Sequence, residues 1–128
     1  MAEPAAAEEL NPEAFREFLE RSRSDDDGPV VMLNLLAMKP DGGMAKYMEY
    51  GNAVAPILEG VGGAPIFTGT GTSALIGSSR DWDLVILVRY PSRAAFLQMI
   101  GSPEYQAIAH LRTEALEYSE LHPLEAGD

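Results

Sequence analysis

The chain has no cysteine. That excludes disulfides, thiolate catalysis and thiolate metal ligands, and it suits a cytoplasmic protein. Histidine is scarce too: His110 and His122 are the only two. They fall on different predicted elements, without i,i+4 spacing, so no metal or haem site is expected. A pairing of His122 with Glu120 can be drawn in a strand, but a structural or solvent-facing histidine is the reading preferred. No run of about 18 apolar residues occurs, so no membrane span is expected. The opening "MAEPAAAEEL" has neither the basic region nor the apolar stretch of a secretion signal. Positive charge is also sparse, with nine Lys and Arg against twenty Asp and Glu and a net charge of −11. Such a chain repels phosphate backbones and anionic lipid, so neither nucleic acid nor membrane is an expected partner.

What remains is an ordinary soluble composition, 46% apolar and 23% charged over 128 residues, enough for one core. Residues 1–10, rich in Ala and Glu without period, are expected to be disordered. Asn11, Pro12 and Glu13 then suit a helix start, and Ala14, Phe15, Phe18 and Leu19 give it one apolar stripe. "VVMLNLLAM" (30–38) and "WDLVILVRY" (82–90) read as central strands. Between them lie a helix from Met44, with Tyr47 in its apolar stripe, and a Thr-rich strand over 66–77. A helix over 91–100 follows, then a second helical segment from Pro103 to about Glu117. A short strand over 118–124 contains Pro123, which suits a sheet edge. After the first helix the order is βαββαβ, the ferredoxin-like pattern. The expected division is a tail and helix over 1–28, the domain over 29–124 and a tail over 125–128. Two helices cover one sheet face only, so a homodimer through the open face is expected.

Gly69-x-Gly71-x-x-Ala74 matches a dinucleotide fingerprint as a string. A working fingerprint opens a helix whose amides hold pyrophosphate, and here the glycines lie inside a strand followed by a hairpin. The Walker pattern is absent. Thr68, Thr70 and Thr72 share one face, and the glycines on the other allow the sheet to coil or a ligand to approach.

Strand parity sorts the rest. Val31, Leu33 and Leu35, with Leu84, Ile86 and Val88, are expected beneath the helices. The sets holding Asn34, Asp83 and Arg89 are expected on the other side. An asparagine in a central strand needs hydrogen-bond partners, so Asn34 marks either a structural network or a ligand contact. Tyr50, off its helix's apolar stripe, and Tyr105 and Arg112 on the last helix, are candidates for a pocket mouth. Met32, Met38, Met44, Met48 and Met99 supply adaptable apolar surface.

"GPVVMLNLLAMKP", "YMEYGNAVAPILEGVGGAPIFTGTG" and "WDLVILVRYPSRAAFLQMIGSPEYQAIAHLR" together resemble the DUF1330 family, within the dimeric α/β-barrel superfamily. Met32-Leu33-Asn34-Leu35-Leu36, Trp82-Asp83, Tyr90-Pro91-Ser92-Arg93 and Ser102-Pro103-Glu104-Tyr105 are the most specific pieces, and the likeness spans roughly 28–122. It implies an α+β fold with a four-stranded antiparallel sheet, an added N-terminal helix and a homodimer enclosing ligand cavities. The superfamily includes cofactor-free monooxygenases, polyketide cyclases, muconolactone isomerases, haem-dependent enzymes and ligand-binding regulators. The expectation is therefore a cofactor-free enzyme of small-molecule secondary metabolism, acting on a hydrophobic, oxygenated aromatic or polyketide-like substrate. The reaction would be cyclase-, isomerase- or lyase-type proton transfer. A cofactor-free monooxygenase and a non-catalytic ligand-binding dimer are the alternatives. Asn34 would bond a carbonyl or enolate oxygen, Tyr50 or Arg112 would donate, and Asp83 or His122 would be the base. Met32, Tyr47, Thr68, Thr70, Trp82, Arg89 and Tyr105 would line the substrate pocket. No cofactor and no metal is expected.

Overall fold

The computed structural model describes residues 10–77 and 80–125. The expected disorder of the first ten residues therefore lies almost wholly outside the described residues. Helix α1, Pro12–Ser22, starts as its sequence requires: the Asn11 side chain accepts from the Ala14 amide at 3.1 Å, and Pro12 fills a position needing no donor. Strand β1, Val30–Met38, leads through Gly42, whose φ of 80° favours glycine, into α2, Gly43–Gly60. Strands β2, Ala64–Gly71, and β3, Trp82–Tyr90, form a hairpin. Helix α3, Arg93–Gly101, the four-residue α4, Pro103–Gln106, and α5, Ala109–Ala115, precede β4, Leu116–Leu124.

The strands lie in the order β2-β3-β1-β4, every neighbouring pair antiparallel. This is the ferredoxin-like sheet, with the two apolar strands in the middle. Pro123 sits on edge strand β4, where its missing amide costs no ladder bond on the outer side.

Three features differ from the sequence reading. The strand expected over 66–77 runs from Ala64 to Gly71, and its pairing slips between Gly69 and Gly71, the irregularity glycine permits inside a strand. The helical segment expected through Glu117 breaks after Gln106, and α5 stops at Ala115. Leu116 turns extended there, because pairing with Met38 buries it completely.

The third difference is which face the helices cover. Val30, Met32, Leu36 and Met38 are buried, whereas Val31, Leu33 and Leu35 are only half-buried. Asn34 belongs to the first set and so lies under the helices, with Ile86 beside it on β3. Leu84, Ile86 and Val88 do lie there, as expected; Val31, Leu33 and Leu35 face the open side with Arg89. Both sets of β1 are apolar apart from Asn34, so composition did not distinguish the faces. Asn34 tolerates the covered side because an arginine reaches down to it from α5.

The core has two lobes. One gathers Phe18, Val30, Met32, Leu58, Tyr90, Phe96 and Met99, the other Leu36, Met38, Tyr47, Tyr50, Leu111, Ala115 and Leu116. Val54 and Tyr105 pack against both and join them. The added α1 is part of the first lobe: Phe18 meets Phe96 edge to face, with ring centroids 5.6 Å apart.

Candidate functional site

The polar groups held, buried or half-buried, between sheet and helices form the candidate site. From β1, the Asn34 side-chain amide donates to the Met32 carbonyl at 3.3 Å, and its Oδ1 accepts from Arg112 Nη2 at 3.3 Å. Asn34 thus spends both ends within the protein and holds the guanidinium. Burial pulls Arg112 down to about 10, so its surroundings as a whole disfavour the cation. An anionic oxygen brought against it would reverse that balance.

The tyrosines stand under the same helix layer. Tyr50 is buried, not free at a mouth as its place off the apolar stripe suggested. Its hydroxyl shares a 2.9 Å hydrogen bond with that of Tyr105. Tyr47 is core, as expected, its ring 5.4 Å from Tyr50. Burial raises all four of Tyr47, Tyr50, Tyr90 and Tyr105 above the ordinary phenol value. The charge of a Tyr105 phenolate adds to the rise at the other three, while the bond from Tyr50 tempers it at Tyr105 itself. Ile86, across from Asn34, and Ile108, one turn before Arg112, pack on the same lobe as Tyr50 and Tyr105. The fold therefore brings Asn34, Tyr47, Tyr50, Tyr105 and Arg112 to one side of the sheet as hydrogen-bond donors in an apolar setting.

The remaining expected residues stand elsewhere. Asp83 Oδ2 accepts from the Met38 amide at 2.7 Å and secures the end of β1, away from the tyrosines. His122 lies opposite Leu33 on the open face, its Nε2 2.8 Å from Glu120 Oε1. Neither proposed base reaches the buried cluster, because each sits on the other side or at the end of the sheet. Trp82 stacks on Tyr118 with centroids 5.9 Å apart, and the Arg80 guanidinium lies over both rings. Arg89 is exposed opposite Val31. Thr68 and Thr70 are exposed on edge strand β2. Met32 is core, packed with Phe18, Tyr90 and Met99. Among the described residues, no group of three or more His, Cys, Asp or Glu could hold a metal ion.

Sequence reading missed two features. Tyr90 ends a strand and reads as ordinary core, yet it joins the phenol group and points its hydroxyl at Met99 Sδ, 4.0 Å away. Tyr118, Glu120 and His122 alternate along β4, and that parity is the signal for their hydrogen-bonded row; Tyr118 donates to Glu120 Oε2 at 3.0 Å.

A family model, described as a domain of unknown function (DUF1330), matches residues 42–121. The chain belongs to the DUF1330 family. The match begins after β1, so Asn34 lies outside it. Among solved structures, the RPA0582 protein of unknown function from Rhodopseudomonas palustris is 34% identical. There the alignment covers 94% of this chain and 96% of that one, with a TM-score of 0.81. A dimeric ferredoxin-like protein of unknown function from Jannaschia is 15% identical, covering 77% of this chain and 100% of that one, TM-score 0.60. SnoaB, a cofactor-independent oxygenase from Streptomyces nogalater, is 16% identical over 79% of this DUF1330 chain and 95% of its own, TM-score 0.57. These last two likenesses establish the fold alone. A search of curated proteins finds no match.

Proposed function

We propose that this DUF1330 protein is a cofactor-free enzyme that ionises a hydrophobic, oxygenated small molecule between its sheet and helices. The observation that carries the reading is a half-buried cation, Arg112, held by Asn34 under the same helix layer as a group of buried phenols. Arg112 would take the developing enolate or phenolate oxygen, and Asn34 is its positioning residue rather than a direct ligand of substrate. The Tyr50–Tyr105 pair, kept protonated by burial, would donate to a second oxygen. Asp83 and His122 are not near enough to serve as base, so the substrate must be intrinsically acidic, with water accepting its proton. Phenols and 1,3-dicarbonyl compounds meet that condition, as aromatic and polyketide-like molecules do. Loss and return of a proton α to a carbonyl is then the chemistry, in cyclisation, isomerisation or elimination.

The shared fold of SnoaB supports a second reading, in which the same carbanion is oxygenated without a cofactor. For assembly, the half-buried apolar row Val31, Leu33 and Leu35 and the dimeric Jannaschia relative support a homodimer through the open face. The absence of cysteine suits work in the cytoplasm.

The test is hydrogen–deuterium exchange at the acidic carbon of 1-phenylbutane-1,3-dione in heavy water, followed by proton NMR. Wild-type protein should accelerate exchange, and Arg112→Met should lose about 100-fold of that acceleration. Binding with no acceleration would make this a non-catalytic ligand-binding dimer. An Arg112→Met variant as fast as wild type would sink the site.

A further inference from the structure

The open face of the sheet is apolar across its middle and polar along one edge. Val31, Leu33 and Leu35 of β1 share it with Leu87 of β3, which lies opposite Leu33. Phe67 of β2 pairs with Leu87, and Leu124 of β4 with Val31. Residues opposite one another in an antiparallel ladder project from the same side, so these six side chains form one surface. Phe67 and Leu124 are exposed and the other four half-buried. Four strands of at least eight residues present about 500 Å², so two copies face to face bury about 1,000 Å². That reaches the size a specific interface needs.

Tyr118, Glu120 and His122 fill the β4 edge of this face, opposite Ala37, Leu35 and Leu33. The Tyr118 hydroxyl donates to Glu120 Oε2 at 3.0 Å, and Glu120 Oε1 lies 2.8 Å from His122 Nε2. The bond with His122 above all, and that from Tyr118, hold the Glu120 carboxyl below its usual range against the opposing pull of burial. The other charges of the face stand towards its ends. Arg80 lies over the Tyr118 ring at 4.1 Å, Asp83 is tied to the Met38 amide, and Arg89 lies opposite Val31. The neighbouring strand β1 brings only apolar side chains to the row. Glu120 is thus the carboxylate at mid-strand, and His122 is the group beside it that can match its charge.

Covering the face takes water from that carboxylate, which is costly unless a cation accompanies it. A neutral imidazole offers Glu120 a hydrogen bond; a protonated one offers the bond and the charge. Each copy also carries a net charge of −11, so positive charge gained where two copies meet lessens their repulsion.

We infer that the open face docks a second copy of this chain, and that each copy takes up a proton at His122 as it docks. This rests on the homodimer proposed above and adds its regulation by pH. The docked copy holds a proton that the separate copy releases, so association weakens as pH rises.

Sedimentation equilibrium at pH 8, 7 and 6 tests the link. The wild-type association constant should rise at least about tenfold from pH 8 to pH 6, the range in which an ordinary histidine titrates. His122→Gln keeps a donor for Glu120 without a titrating ring, and should still pair but lose that rise. Glu120→Gln should reverse it, because a proton at His122 would then be buried without a counter-charge. Circular dichroism of both variants should match wild type. A wild-type dimer equally tight at all three pH values overturns the proton link and leaves the interface standing. An equal rise in His122→Gln, or a Glu120→Gln dimer that tightens like wild type, overturns the link as well. A wild-type monomer at every pH removes the interface itself.

Discussion

Among the described residues, Arg93 at the start of α3 is the buried charged one, 5% exposed. Its guanidinium meets the Asp27 carboxylate at 3.7 Å and Glu125 Oε1 at 2.6 Å, and it lies over the Phe18 ring. Asp27 also accepts from the Arg93 and Ala94 amides at 2.9 and 3.1 Å, and Ser92 accepts from Ala95. One carboxylate therefore caps the helix and neutralises a buried cation at the same time. Asp27→Ala should cost about 3 kcal/mol, the low end for breaking a buried pair, because Glu125 remains. Denaturant unfolding measures it; a loss below about 1 kcal/mol, the worth of a surface pair, would show the pair to be marginal. None of this was legible beforehand. Asp25, Asp26 and Asp27 look alike as a charge run, and only the fold selects the one that reaches α3.

At the scale of elements, the sequence announced nearly everything that local chemistry controls. Asn11 with Pro12, Ser92 and Ser102 cap as their types suggest, and the two continuous apolar runs are the central strands. What it hid were choices between equally apolar alternatives. Val31, Leu33 and Leu35 are as aliphatic as the buried set, and Asn34 argued for the wrong side because its partner, Arg112, lies 78 residues away. The candidate site inherits that limit: the residue types were legible, but which side of the sheet gathered them was not. The outward row of β1 yields its own prediction. Leu33→Glu puts a charge in the middle of the proposed dimer face, opposite Leu87 and His122, and should convert a dimer into a folded monomer. Sedimentation equilibrium decides it. A wild-type monomer, or a Leu33→Glu dimer, would remove the open face as the interface.

For the whole molecule, the phenols set the response to alkali. Tyr47, Tyr50, Tyr90 and Tyr105 all have folded values raised above 10.0. Above that pH the unfolded chain releases protons that the native chain keeps, so stability falls as pH rises. Arg112 works the other way, since burial makes the folded chain release its proton at about 10, well before the unfolded chain does. Four phenols outweigh one guanidinium. Denaturant midpoints should therefore drop between about pH 9 and about pH 11, with tyrosinate absorbance rising together with loss of near-ultraviolet circular dichroism. Early ionisation of these tyrosines in a chain with native dichroism would show the layer to be wet.

Trp82 is the chain's single tryptophan. It sits half-buried beside Tyr118 and under Arg80, on the opposite side of the sheet from the Tyr50–Tyr105 pair. The molecule thus carries a built-in dye for one surface only. Emission excited at the red edge of the spectrum reports what covers the outward side of the sheet and stays dark to whatever enters among the phenols. Self-association and ligand uptake can be followed in one cuvette, by two colours, without a label.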